Sequence, residues 1–255
     1  MDIRLRETSG LAFFDGRLFT HNDQGNSNQF YALSPSNGNI LATYTVSGYE
    51  NIDWEDMAQS PSHIYLADIG NNDGNRSNLR ILKIAKTALD SFGGNVAVES
   101  EIEFYYPEQQ SFAAGNKHNW DAEALVWADN YLYLFTKHRL DGKTNLYRIP
   151  DVTGRHAAQH LGNFNAGVRI TAADLNENGD TLVLLGYNKN RDCVLWEFTG
   201  FNDNQYFSGM KKQIVLGEFG SLGQMEGVFF IHRQLIYISA ESTNNQPAHL
   251  YKLEY

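Results

Sequence analysis

The chain has 255 residues and a formal net charge of −10. This acidity argues against nucleic acid as a partner, because binding a phosphate backbone needs a clustered positive surface. The one cysteine, Cys193, excludes an intramolecular disulfide, no stretch approaches the roughly 18 apolar residues of a membrane span, and no signal peptide is recognisable. The 22 glycines, together with many Asn and Asp residues, predict frequent turns and therefore many short strands.

A short unit recurs five times along the chain, each time as a polar or acidic head before an apolar strand. The five heads lie at Ser9, Glu55, Glu123, Thr171 and Glu226. Self-similarity at intervals of roughly 45 to 70 residues is the signature of a repeat architecture. We therefore treat each unit as one small antiparallel sheet.

Alternating apolar residues and turn signals predict up to four strands in each unit. The predicted strands of the first four units are 10–14, 17–21, 29–33 and 40–46; 55–58, 64–68, 79–84 and 101–106; 123–127, 131–136, 144–149 and 156–164; and 170–175, 181–187, 193–198 and 212–219. The insertion 86–100 is predicted to be a surface loop. A sixth unit is rejected because only residues 102–106 are strand-like between 86 and 119.

The fifth unit has three predicted strands, at 227–231, 235–240 and 249–253. Its fourth strand is predicted at residues 2–7, where pairing beside the last strand would close the ring and cover two open edges. The predicted fold class is all-β. We expect a single domain over residues 1–255, a five-bladed β-propeller of four-stranded blades closed by its N-terminal strand.

Four of the heads carry a family resemblance. They read Glu7-Thr8-Ser9-Gly10-Leu11-Ala12, Asp53-Trp54-Glu55-Asp56-Met57-Ala58, Asp121-Ala122-Glu123-Ala124-Leu125 and Met225-Glu226-Gly227-Val228. These heads resemble those of the SdiA-regulated propeller family, are similar to those of the esterase-like phytase family, and more loosely resemble the gluconolactonase and senescence-marker group. The resemblance implies a propeller with a metal-bearing central channel, and an exported protein, periplasmic or secreted. Trp54, Asp56 and Thr171 differ from the sequence pattern of these families.

The first strand of each propeller blade runs along the central channel, so the heads should converge on one axis. The predicted metal ligands are Glu55, Glu123, Asp174 and Glu226. Carboxylates crowded together raise one another's pKa unless a cation compensates, and hard oxygen ligands suit Ca²⁺ or Mg²⁺. The alternative is a solvated channel whose carboxylates are satisfied by water, Arg169 or turn amides.

The loops after the second strand of each unit form a second candidate site. The motif Asp-x-Gly-Asn begins at Asp23 and again at Asp68. In both places its residues either form turns or contact a ligand. The predicted substrate-binding residues on these loops are Asn22, Asp23, Asp68, Asn71, Lys137, Tyr187 and Glu241. Lys137 either holds an anionic group of a substrate or balances its acidic neighbours.

The sequence leaves two classes of function open. The first is a cation-stabilised binding protein, expected to be a monomer, that presents its channel face to a small molecule or a protein. The alternative is a metal-dependent hydrolase of a phosphoester or lactone, with His21 and Lys137 as candidate catalytic residues. An isolated histidine is more often structural, and no nucleophile–base pair stands out. We therefore favour binding.

Overall fold

The computed structural model describes residues 1–244 and 246–254, and almost all of its regular structure is β. Five sheets surround one axis, which confirms the predicted all-β, five-bladed propeller. The helices of the described residues are 3₁₀ turns at Ile3–Leu5, Lys86–Ala88 and Tyr206–Ser208 and one α-helical turn, α1, at Phe219–Leu222. None of these is long and apolar enough to cross a membrane. That residues 1–255 form one domain stays a prediction, and residues 245 and 255 lie outside the described part.

The strands follow the predicted order closely. The first strands of the chain are β1 (Thr8–Phe14), β2 (Arg17–Asn22), β3 (Gln29–Leu33) and β4 (Ile40–Val46), then β5 (Trp54–Gln59), β6 (His63–Asp68), β7 (Arg80–Ala85), β8 (Gly94–Val96) and β9 (Ser100–Tyr105). The middle strands are β10 (Ala122–Ala128), β11 (Tyr131–Thr136), β12 (Lys143–Pro150), β13 (Gly154–Ala157) and β14 (Gln159–Asn165). The last are β15 (Val168–Leu175), β16 (Thr181–Asn188), β17 (Asp192–Thr199), β18 (Met210–Glu218), β19 (Met225–His232), β20 (Leu235–Ala240) and β21 (His249–Glu254).

Each blade begins with its inner strand and adds the following strands outward. Blades 1 to 5 begin with β1, β5, β10, β15 and β19, and each of these inner strands contacts the next around the ring, with β19 returning to β1. A hydrophobic cluster fills each of the five gaps between neighbouring blades; between blades 2 and 3, for example, Tyr65 and Ile81 pack with Leu125 and Leu134. The apolar residues of the strands are therefore buried between blades, and the polar heads lie at the axis.

Two short strands cross from one unit to the blade before it. β8 pairs parallel to β4 at the outer edge of blade 1, and β13 pairs parallel to β9 at the outer edge of blade 2. Two predictions are corrected here: the insertion 86–100 contains a strand, and the predicted strand 156–164 is interrupted at Ala158, whose N–H donates to Tyr105 O at 2.9 Å. Both strands cover an edge that would otherwise expose unpaired backbone groups.

The predicted N-terminal strand at residues 2–7 is wrong. Asp2 accepts a hydrogen bond from the Arg4 N–H at 2.9 Å and starts a 3₁₀ turn, and the sheet of blade 5 has three strands in the described residues. Ile3 is 78% exposed whereas Leu5 is buried between blades 5 and 1, so the two residues do not share one face as they would in a strand. The segment still touches blade 5, because the Met1 ammonium donates to Ala248 O at 2.8 Å.

All five inner strands break register at the same level. The breaks lie between Ser9 and Ala12, Trp54 and Asp56, Ala122 and Ala124, Ile170 and Ala172, and Met225 and Gly227. A β-bulge leaves an extra residue unpaired and re-aims its side chain. In blades 2 to 5 that residue is the head residue itself: Glu55, Glu123, Thr171 or Glu226. The repeated heads of the sequence are therefore a repeated bulge.

Candidate metal centre

Five acidic residues from three blades meet at one end of the channel. This carboxylate cluster consists of Asp23, which follows β2, Asp53 and Glu55 at the start of β5, and Asp121 and Glu123 at the start of β10. One oxygen each from Asp23, Asp53 and Glu55 lie within 4.8 Å of one another, and the same holds for Glu55, Asp121 and Glu123. Glu55 thus belongs to both triads.

The second triad already has two cations of the protein. Lys137 Nζ lies 2.7 Å from Glu123 Oε2, and an Arg139 terminal nitrogen lies 2.8 Å from Asp121 Oδ2. Burial disfavours the Lys137 ammonium, but the charges of Glu123 and Glu226 outweigh it and raise its pKa well above the ordinary value. Lys137 therefore stays charged and acts as a counter-ion inside the channel.

In the part of the chain that the structure describes, no cation forms such an ion pair with the first triad. Asp53 is 5% exposed, and its Oδ1 is buried with no hydrogen-bond partner among the described residues. Gly70 packs directly on this triad, because a Cβ there would collide with the carboxylates of Glu55 and Asp53. Glycine is therefore needed at position 70, because any side chain there would overlap these two carboxylates.

The pKa values of this triad show the cost of the crowding. Burial, with the charge of Asp23 next, raises the pKa of Asp53 to about 7. Burial and the charges of Glu123 and Asp23 raise the pKa of Glu55 well above its ordinary value. Burial also pushes the pKa of Glu123, in the second triad, upward, and the ammonium of Lys137 acts in the opposite direction. A cation between these oxygens would relieve the repulsion.

The four predicted metal ligands do not share one site. Glu55 and Glu123 are in the carboxylate cluster, and Glu226 lies beside it. Gln224 donates a hydrogen bond to Glu226 Oε1, and the charges of Lys137 and Glu241 act on the Glu226 carboxylate. Asp174 is separate: its Oδ2 accepts from the Phe230 N–H at 2.7 Å, and burial raises its pKa to about 8.

Asp56, an acidic residue near the axis, has a structural role. Asp56 is fully buried; its Oδ1 accepts from the Met57 N–H at 2.7 Å, and its Oδ2 accepts from Leu125 N–H at 2.8 Å and Ala173 N–H at 3.4 Å. Since Leu125 and Ala173 belong to the inner strands of blades 3 and 4, this one carboxyl joins three blades.

The predicted catalytic candidate His21 is buried between blades 1 and 2. Its ring packs edge-on against Trp54 at 5.7 Å, and Nδ1 lies 3.1 Å from Asn22 O. Burial lowers its pKa to about 4, so the imidazole is neutral near pH 7. Its exposed fraction is zero, and this placement is that of a core residue.

Several predicted substrate-binding residues form structural links. Asp68 is fully buried and pairs with two arginines. A terminal nitrogen of Arg76 lies 2.8 Å from its Oδ1, and Arg80 Nε lies 2.9 Å from its Oδ2. Asn71 joins blades 2 and 3, since its N–H donates to Asp121 Oδ1 at 2.7 Å. Asn22 Nδ2 donates to Arg4 O at 2.6 Å and so holds the N-terminal turn.

The other predicted loop residues lie around the cluster. Asp23 is a member of the first triad, Lys137 pairs with Glu123, and Tyr187 places its ring 5.9 Å from Lys137 Nζ. Glu241 is partly buried, and burial and the charge of Asp23 raise its pKa to about 8. The cluster was missed in part because Asp53 was not among the predicted ligands. The signal was the phrase Asp-x-Glu, which stands at 53–55 and again at 121–123.

In comparisons with known proteins, the chain matches no family model and no curated protein. Among solved structures, Kuenenia stuttgartiensis hydrazine synthase is 10% identical with a TM-score of 0.48, over 98% of this chain and 63% of that one. The WD40 β-propeller domain of Doa1 is 15% identical with a TM-score of 0.44, over 94% and 62%.

A putative 6-phosphogluconolactonase from Bacteroides uniformis is 11% identical with a TM-score of 0.42, over 94% of this chain and 69% of that one. At these identities and TM-scores the likenesses carry no argument about activity. The conclusion that this chain is a five-bladed β-propeller rests on its own sheet topology.

Proposed function

We propose that this protein is a cation-stabilised binding propeller, in which Asp23, Asp53 and Glu55 hold a divalent cation at one end of the channel. The observation that carries the proposal is the buried Oδ1 of Asp53, which has no hydrogen-bond partner in the described residues although two further carboxylates lie within reach. A buried polar atom without a partner costs free energy, and so does a group of like charges. One cation removes both costs.

The donor set fits a hard cation. All three ligands of the triad are carboxylates, without sulfur or imidazole, which favours Ca²⁺ first and Mg²⁺ second. Asp23 comes from the loop after β2, whereas Asp53 and Glu55 precede and begin β5. The cation would therefore connect blade 1 to blade 2 at the place where their loops meet.

The ligand is expected at the same channel face, as a small molecule or a protein. Binding is favoured over hydrolysis because His21 is enclosed in the core and Lys137 is engaged by Glu123. A metal-dependent hydrolase of a phosphoester or lactone stays a prediction from the sequence. So do membership of the SdiA-regulated or esterase-like phytase group, a periplasmic or secreted location, a monomeric state and the exclusion of nucleic acid.

Thermal melting with and without divalent cation tests the proposal. A ligand that binds only the folded state stabilises it by about 2.7 kcal/mol at a hundredfold excess over its dissociation constant. We expect chelation with EDTA to lower Tm and Ca²⁺ to restore it. Identical melts in EDTA and Ca²⁺, with no metal by elemental analysis, would contradict the proposal. Metal-dependent turnover of phosphoesters or lactones that is lost in Glu55→Gln would favour the hydrolase instead.

A further inference from the structure

A groove lies beside the carboxylate cluster, between the loops of blades 3 and 4. Its volume is about 580 Å³, which suits a small metabolite. Arg139 and Gln224 line the groove; Arg139 pairs with Asp121 of the cluster, and Gln224 donates to Glu226, which lies beside the cluster. The groove and the channel end are thus neighbouring parts of one face.

The wall of this cationic groove carries positive charge without matching acids. Arg169, Lys189 and Arg191 line it, and none of them forms an ion pair with a described residue. The one acidic residue on the wall, Asp141, is already engaged by His138 at 3.1 Å and Lys143 at 3.3 Å. In a protein with a net charge of −10, such a cluster of unpaired cations favours an anionic ligand.

The loop that carries two of these cations is held in place before any ligand binds. Asn188 Oδ1 accepts from the N–H groups of Asn190 and Asp192, both at 2.9 Å, and its Nδ2 donates to the Asp192 carboxylate at 2.8 Å. Arg191 adopts a left-handed backbone conformation with φ of 64°, and its guanidinium lies 4.1 Å from the centre of the Phe219 ring. A pre-organised loop lowers the entropy cost of binding.

Two side chains that line the groove each have a buried nitrogen without a hydrogen-bond partner among the described residues. These nitrogens are Arg139 Nε, a donor, and His138 Nε2. His138 is 3% exposed, and Asp141 accepts from its Nδ1, so in the neutral imidazole the proton is on Nδ1 and Nε2 is an acceptor. The wall therefore offers cationic donors for an oxyanion and one acceptor for a hydroxyl group.

We propose that the groove binds a small phosphorylated polyol or sugar, with its phosphate held by Arg169, Lys189 and Arg191 and a hydroxyl donating to His138 Nε2. Three unpaired cations match a phosphate dianion better than a single carboxylate charge, and guanidinium groups bind phosphate oxygens through paired N–H bonds. This inference deepens the binding role proposed above by naming a ligand class. It rests on a different set of residues from the cation site and does not require the cation.

Isothermal titration calorimetry in EDTA tests the groove without the cation site. The probes are ribose 5-phosphate, inorganic phosphate and ribose. We expect ribose 5-phosphate to bind most tightly, phosphate more weakly and ribose not at all. Arg169→Ala and Arg191→Ala should each weaken ribose 5-phosphate by at least about tenfold, because each removes a charge-assisted hydrogen bond.

The matched control is Arg233→Ala, which removes an exposed cation from the β19–β20 turn and should leave the affinity unchanged. His138→Phe should weaken ribose 5-phosphate but not inorganic phosphate, with folding checked by circular dichroism. Failure of all three probes to bind, or equal affinity in the wild type and both groove variants, would overturn the proposal. Because EDTA is present throughout, neither outcome depends on the cation site.

Discussion

Lys137 Nζ lies 2.7 Å from Glu123 Oε2, and both side chains are buried at the axis of the propeller. The pair joins the end of β11 to the inner strand β10 of the same blade. Lys137 also interacts electrostatically with Glu226 and Glu55, which belong to two other blades. The protein therefore supplies Lys137 and Arg139 as counter-ions for Glu123 and Asp121, whereas no described residue forms an ion pair with Asp53.

Lys137→Met should destabilise the protein strongly. Removing one partner of a buried ion pair leaves an uncompensated charge and costs about 3–5 kcal/mol. Glu123→Gln in the same chain removes that charge, so the double variant should recover part of the loss. Urea unfolding of the four proteins in this cycle measures the coupling, and purely additive effects would show that the pair contributes nothing.

Asp56→Ala should destabilise the propeller without changing its cation response. The substitution leaves the buried N–H groups of Leu125 and Ala173 without their acceptor, and each unsatisfied group costs about 1–3 kcal/mol. The exposed residue Glu177, in the β15–β16 turn, is the control, and Glu177→Ala should leave stability nearly unchanged. Equal urea midpoints for the two variants would refute the role of Asp56 as a link between blades.

The stability of the metal-free protein should fall as the pH rises from 6.5 to 8. The raised pKa values are about 7 for Asp53 and about 8 for Asp174 and Glu241. A carboxyl whose pKa is raised by folding stabilises the fold while it is protonated, and this contribution is lost as the pH passes the folded pKa. His21 acts below this window, since its lowered pKa removes stability only as the pH falls below 6.5.

Tm measured across this pH range in EDTA and in Ca²⁺ checks that dependence. Bound Ca²⁺ favours ionised carboxylates, so the fall in Tm should be smaller in its presence. A Tm in EDTA that rises between pH 6.5 and 8 would be incompatible with buried, uncompensated acids at the axis.

Gly70→Ala should weaken the cation response while leaving the fold intact. The new methyl group would displace the carboxylates of Glu55 and Asp53, and overpacking of this kind costs about 1–3 kcal/mol. Gly115→Ala is the matched control, because a Cβ at Gly115 meets no atom within 4 Å. The rise in Tm on adding Ca²⁺ should shrink in the Gly70 variant alone, and equal rises would place the cation elsewhere.

The repeat, the blade number and most strand ends were predictable because they depend on local periodicity and turns. The ion pair of Lys137 with Glu123 was left as one of two alternatives, because spacing along the chain does not tell which side of a strand end faces the axis. The N-terminal turn was mispredicted since Ile3 and Leu5 have the spacing of a strand face, whereas the Asp2 cap starts a helical turn. The parallel strands β8 and β13 depend on contacts with the preceding blade, which local sequence does not encode.

Calcium titration of the Asp53→Asn variant by calorimetry tests the central claim most directly. Asparagine keeps the size of the side chain but removes the charge and the unpartnered carboxylate oxygen. The wild type and the control Asp129→Asn should bind Ca²⁺ with equal affinity, and Asp53→Asn should bind at least about tenfold more weakly, a loss of about 1.4 kcal/mol. Equal binding by all three proteins, or no binding by the wild type, would contradict the cation site.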